Sequence, residues 1–133
     1  MDTHQTRFLF PPEDLPPGFR FPAAYLGVIN APELPELRPW WFLTENKKLA
    51  LGWLGMVRKQ YPDRSLVPFA KWDPSDDLAC FDGADASGNP AVLLIHTFTT
   101  PGWEYRGTLP DFGAWMVQAA EDAREFEAED EES

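Results

Sequence analysis

The chain carries a single cysteine, Cys80, in 133 residues. One thiol cannot close an internal disulfide, which fits a reducing compartment. No apolar run approaches the roughly 20 residues that a membrane-spanning helix needs. The opening stretch, from Met1 to Arg7, lacks the charged-then-apolar pattern of a secretory signal. A cytoplasmic protein with no membrane partner is the expectation. Basic residues are scarce: 11 Lys and Arg stand against 22 Asp and Glu, for a formal charge of -11. Nucleic-acid binding needs clustered Lys and Arg against phosphate, so no nucleic-acid partner is expected. There is no Gly-rich phosphate loop, no zinc-ligand spacing and no Gly-x-Ser-x-Gly elbow. No cofactor and no metal are expected.

What is present is a core-forming composition. Hydrophobic residues make up 44% of the chain, with six Trp and ten Phe, which marks a globular protein. The length suits one domain. Residues 121–133 hold eight acidic side chains and one Arg, so more than half of the charge of -11 sits there. The sequence therefore divides into a domain over 1–126 and an acidic, disordered tail over 127–133. The tail reads either as a solubilising run or as an arm that attracts a basic partner.

Pro11, Pro12, Pro16, Pro17, Pro22, Pro32, Pro35 and Pro39 forbid a long helix in the first forty residues. A short helix from about Ala23 to Ile29 fits between Pro22 and Asn30. Leu37 to Leu43 predicts a strand with Trp40 and Phe42 on one face and Trp41 and Leu43 on the other. Thr44 to Tyr61 predicts a helix capped by Thr44, with Leu49, Trp53, Met56 and Val57 as its buried stripe and Leu51 and Leu54 off it. Gly52 and Gly55 weaken that helix, and a close backbone approach would account for them. Val67 to Phe69 is a short strand. Leu78 to Asp82 and Ala91 to Phe98 are stronger strands around a turn-rich stretch. Leu93, Leu94 and Ile95 are contiguous, as in a strand covered on both faces. Thr108 to about Phe126 predicts an amphipathic helix, with Thr108 and Asp111 as a capping box and Phe112, Trp115, Met116, Ala119, Ala123 and Phe126 on its apolar face. The fold class expected is α+β: one domain, an antiparallel-rich sheet packed against helices, closed by a C-terminal amphipathic helix.

Candidate chemistry is sparse. Cys80 and His96 are the nucleophile and base to weigh, since His4 has no evident partner. In a simple hairpin, residues whose numbers sum to about 173 face each other. Cys80 then opposes Leu93 and His96 points to the other face, which argues against a dyad and for a buried structural cysteine. Asp73, Asp76, Asp77, Asp82 and Asp85 form an acidic cluster. Its spacing matches no calcium loop, leaving solvated turn residues or an acidic face that docks a basic protein. Trp72, Trp103 and Tyr105 sit beside polar loops, either as binding anchors or as lids over the core.

Several of these residues fall in a recognisable order. Pro68, Phe69 and Ala70 lead into an acidic loop with Asp73, Asp76 and Asp77. A strand with Leu78, Cys80, Phe81 and Asp82 follows, and a helix with Phe112 and Trp115 closes the series. This order, covering about half of the chain, resembles the SUKH superfamily, the domain shared by a fungal cell-wall-synthesis regulator and many bacterial immunity proteins. Leu15-Pro16-Pro17-Gly18-Phe19 and Tyr25-Leu26 resemble the family's opening helix, though the Asn-Gly turn that commonly follows it is absent. The resemblance implies a non-catalytic protein-binding domain. Many bacterial members are immunity proteins that neutralise a partner toxin, often a nuclease, in contact-dependent or polymorphic toxin systems. An acidic face suits a basic toxin domain. Trp72, Asp73, Asp76, Asp77, Asp82, Asp85, Trp103 and Tyr105 are the expected partner-binding residues. The alternatives are a housekeeping intracellular scaffold or regulatory domain, and a small cytosolic hydrolase or transferase using Cys80 or the Asp cluster.

Overall fold

Short apolar runs separated by turns build an antiparallel sheet in the middle of the chain. A computed structural model describes residues 7–73 and 75–132. Five strands follow one another: β1 (Trp40–Phe42), β2 (Leu66–Trp72), β3 (Asp77–Asp82), β4 (Val92–His96) and β5 (Tyr105–Leu109). Their order in the sheet is their order in the chain, and each neighbouring pair is antiparallel. Three α-helices, α1 (Ala23–Ile29), α2 (Lys47–Gln60) and α3 (Phe112–Glu132), lie against it. The result is the α+β domain with a closing C-terminal helix that the sequence predicts.

The register explains the two cores. Asp77 lies opposite His96, Cys80 opposite Leu93 and Phe81 opposite Val92. Successive side chains in a strand point to opposite faces. Leu78, Cys80 and Ile95 therefore meet Val57 and Tyr61 at the end of α2. Ala79, Phe81 and Val92 meet Tyr25 of α1 and Phe112, Trp115 and Ala119 of α3. In β2 the register shifts between Pro68 and Ala70. That bulge lets Phe69 and Ala70 both enter the larger core, where the Phe69 ring stacks on Phe81 at 4.3 Å. Gly83 follows β3 where no side chain fits. A Cβ there would lie 2.7 Å from Pro16 Cγ and 2.8 Å from the Ser65 carbonyl oxygen.

Several elements differ from the expectation. The first strand is confined to Trp40–Phe42, because Leu43–Glu45 turn into a 3-10 helix. Thr44 does not cap α2: its hydroxyl donates to the Phe8 carbonyl at 2.5 Å. Asn46 takes that place, its Oδ1 accepting the Leu49 N–H at 3.1 Å. The later start goes with a different buried stripe. Ala50, Leu54 and Val57 are buried, while Leu49 is 43% exposed and Trp53 and Met56 are half-buried. Thr108 lies in β5, a strand the sequence did not suggest, and Asp111 caps α3 alone, with Oδ1 accepting the Ala114 N–H at 2.9 Å. The helix continues to Glu132, into the acidic stretch read as a tail.

Gly52 and Gly55 leave open space beside α2 among the described residues. A Cβ at either position would meet nothing within 4 Å, so a close backbone approach does not account for them. Gly52→Ala and Gly55→Ala are each expected to stabilise the protein by up to about 1 kcal/mol, the helix-propensity difference. Urea denaturation measures this, and a loss of stability in either variant refutes it.

Candidate functional site

Antiparallel alternation gathers one set of strand ends. The end of β2, the start of β3, the end of β4 and the start of β5 share one end of the sheet, with the start of β1 beside them. Two connections cross that end, the turn around Asp73–Asp76 and the loop Thr97–Glu104. Of the expected partner-binding residues, Trp72, Asp73, Asp76, Asp77, Trp103 and Tyr105 come together here. Asp82 and Asp85 do not. Asp82 ends β3 and Asp85 lies just after it, at the far end of the strand, roughly 17 Å away at about 3.3 Å per residue. Their carboxylates shape a turn: Asp82 Oδ1 accepts the Ala84 N–H at 3.0 Å and Asp85 Oδ1 the Ser87 N–H at 2.9 Å. The hydrogen bond from the Ser87 side chain, with backbone bonds, holds the Asp85 carboxyl below its ordinary range.

The turn and the loop are tied to each other. The Asp76 carbonyl accepts the Thr97 N–H at 3.0 Å and the Thr97 hydroxyl at 2.7 Å. His96 Nδ1 lies 2.7 Å from Asp77 Oδ1, and the Ser75 hydroxyl donates to Asp77 Oδ2 at 2.8 Å. Lys71 Nζ donates to the Ser75 carbonyl at 2.6 Å. The serine is thus on the carboxylate and not on the imidazole, so the three do not form a nucleophile–base–acid relay.

The loop is also held from below. Gln60 Oε1 accepts the Phe98 N–H at 2.6 Å, and the Tyr61 hydroxyl lies 3.3 Å from the Thr99 nitrogen and 3.2 Å from its carbonyl oxygen. Glu104, 4% exposed, binds Arg64 Nε through Oε2 at 2.5 Å and the Gly102 N–H through Oε1 at 2.6 Å. Burial pushes the Glu104 pKa up, but the Arg64 hydrogen bond, the backbone N–H groups and the Arg64 charge outweigh it and leave the carboxyl below the usual range. On this brace Phe98 adopts φ 60°, a left-handed conformation uncommon for a large side chain. Phe98 is 58% exposed, Trp103 72% and Tyr105 48%. Trp72 differs, being half-buried with its ring 5.3 Å from that of Trp40.

Comparisons with protein-family models, with curated proteins and with solved structures find no match.

Cys80 is fully buried, facing Leu93 beneath α2, and burial pushes its thiol pKa up. His96 lies on the other face, as the hairpin register predicts. Among the described residues no group of three His, Cys, Asp or Glu side chains is placed to hold a metal ion. No helix among them is long and apolar enough to cross a membrane. The rim thus offers exposed carboxylates, Asp73 and Asp76, beside aromatic rings held outward by a hydrogen-bonded loop. Phe98 and His96, the partner of Asp77, are the members that sequence reasoning did not place at the rim. The hairpin register already places Asp77 opposite His96.

Proposed function

We propose that this chain is a SUKH-like, non-catalytic protein-binding domain that acts in a bacterial cytoplasm as an immunity protein, docking a basic partner toxin on the rim. One observation carries the reading. Phe98 and Trp103 are exposed on a loop pinned by Gln60, Tyr61 and Glu104, and Tyr105 is exposed beside them at the start of β5. Exposed aromatics on a preorganised backbone suit interface anchors, because little conformational freedom is lost on binding. The neighbouring carboxylates of Asp73 and Asp76 supply the charge that steers a basic partner. The separation of Cys80 from His96 favours a binding role over a thiol-dependent hydrolase.

The test is binding kinetics with a toxin encoded beside this gene. Trp103→Ala is expected to raise the dissociation rate by about 30-fold, as loss of a 2 kcal/mol anchor does. Asp76→Lys is expected to slow association and flatten its salt dependence, with a smaller effect on dissociation. Trp72→Ala is a poorer probe, since its ring packs on Trp40 and its loss also loosens β1. A toxin complex whose rates neither substitution alters places the interface elsewhere. A neighbouring toxin that does not bind at all refutes the immunity reading.

A further inference from the structure

Charge is unevenly divided between the helices. α2 carries Lys47, Lys48, Arg58 and Lys59 and no acidic residue. The chain totals -11, so α2 is a positive helix on a negative molecule. Two of its cations are engaged: Lys47 Nζ lies 5.7 Å over the Phe8 ring, and Arg58 donates to the Asp14 carbonyl. Lys48 and Lys59 have no ion-pair partner among the described residues. Helical spacing puts these two lysines, with Gly52 and Gly55, opposite the buried Ala50, Leu54 and Val57. All four are exposed. The open space over both glycines leaves the strip between the lysines accessible to another backbone.

The second half of α3 presents the opposite sign. From Glu121 to Glu129 it carries five carboxylates against Arg124 alone. Arg124 is held by Glu121, and Asp122 accepts the Trp40 indole N–H at 3.0 Å. Glu125 and Glu129 have no partner among the described residues. They stand one turn apart, where like charges destabilise a helix. The same spacing rule puts Glu121 and Ala128 opposite the buried Phe112, Trp115 and Ala119, with Glu125 beside them. A cation set against this face from outside relieves the repulsion. The chain's own α2 does not supply it, because the end of α2 packs on the Cys80 side of the sheet and α3 on the Phe81 side.

We propose that the outer face of α2 docks the outer face of α3 from a second copy of this chain, so that copies associate head to tail. Charge complementarity selects this occupant: a helix with cations and no anion meets a helix with surplus carboxylates. Both helices rise about 1.5 Å per residue. Laid antiparallel with Lys59 beside Glu121, they bring Gly52 beside Ala128 and Lys48 within reach of Glu129. Small residues at the crossing allow an interaxial distance of about 8 Å. Each copy keeps one free α2 face and one free α3 face, so the association does not close on itself. The contact is small and mainly electrostatic, hence weak and salt-sensitive. It uses none of the rim residues and stands whether or not the rim binds a toxin.

Sedimentation velocity of the full chain tests this, at concentrations up to about 1 mM. The mean sedimentation coefficient is expected to rise with concentration in about 50 mM salt and to stay at the monomer value in about 500 mM. The double variant Lys48→Glu with Lys59→Glu is expected to weaken self-association at least about tenfold, and so is Glu125→Lys with Glu129→Lys. Mixed in equal amounts, the two double variants should associate again, because the reversed α2 of one then meets the reversed α3 of the other. All four residues are exposed, so the variants keep the fold, and circular dichroism checks this. A native chain that stays monomeric at low salt overturns the proposal. So does association that survives high salt or persists in either double variant, and so does a mixture that remains monomeric.

Discussion

Trp115→Ala is expected to cost about 3–5 kcal/mol of folding stability, the range for deleting a large buried ring. Trp115 is 1% exposed and lies where α3 meets the sheet. Its ring centroid is 4.9 Å from that of Phe69, 5.5 Å from Trp40 and 5.8 Å from both Phe42 and Phe112. Truncation therefore opens a cavity against β1, β2 and the first turn of α3 together. One detail separates size from polarity. The indole Nε1 is buried without a hydrogen-bond partner among the described residues, and such a donor is itself a cost of about 1–3 kcal/mol. Trp115→Phe should accordingly lose much less than Trp115→Ala. Urea denaturation of both variants measures the difference. A loss below about 1 kcal/mol in the alanine variant would mean that α3 is not docked as described.

Arg64→Met is expected to cost about 3–5 kcal/mol at neutral pH, because it leaves a buried carboxylate without its cation. The Glu104 side chain is 5% exposed and that of Arg64 33%, so the arginine can turn to water if the glutamate is lost but the glutamate cannot. Glu104→Gln should therefore be the milder change. Acid sharpens the contrast. In the native protein the Glu104 pKa is lowered, so the pair's contribution is fully present above the unfolded value near 4.3. It is lost as pH falls through the folded pKa. Without Arg64, burial leads and raises the pKa, and protonation then relieves the strain. The stability gap between native protein and Arg64→Met should narrow as pH falls from 7 toward 4. A gap that is constant with pH would mean that the loss is packing alone.

The β3–β4 hairpin was legible because its information is local. Leu78–Asp82 and Val92–His96 are short apolar runs around a turn-rich stretch, and closing them as a simple hairpin reproduces the register. The start of α1 at Ala23 was legible from Pro22, but those of α2 and α3 were not, because two capping residues compete at each. Thr44 loses to Asn46 through a contact with Phe8, far away in sequence. Thr108 loses to Asp111 because β5 draws it into the sheet. That strand hides in Tyr105-Arg106-Gly107-Thr108, which has no apolar alternation. A register shift beside Arg106 and φ 147° at Gly107 are what let it pair with β4. The candidate site was half legible. Acidic and aromatic residues flanking loops were visible, but which end of the sheet each occupies depends on strand direction. Phe98 gave no signal, since its backbone conformation is imposed by Gln60 and Tyr61 from another element.

Strand order equal to chain order makes three of the four pairings cheap to close. Only short connections separate β2 from β3, β3 from β4 and β4 from β5, whereas α2 and its flanking turns lie between β1 and β2. Loop-closure entropy rises by only about 0.6 kcal/mol per doubling of length. Yet β1 has just three residues with which to offset the larger cost, and one neighbour instead of two. Among the five strands it has the least ladder to lose and the most chain entropy to regain on leaving. Local opening of the sheet is therefore expected to begin at β1, where the rings of Trp40 and Phe42 against Trp115, at 5.5 and 5.8 Å, hold the strand more than its ladder does.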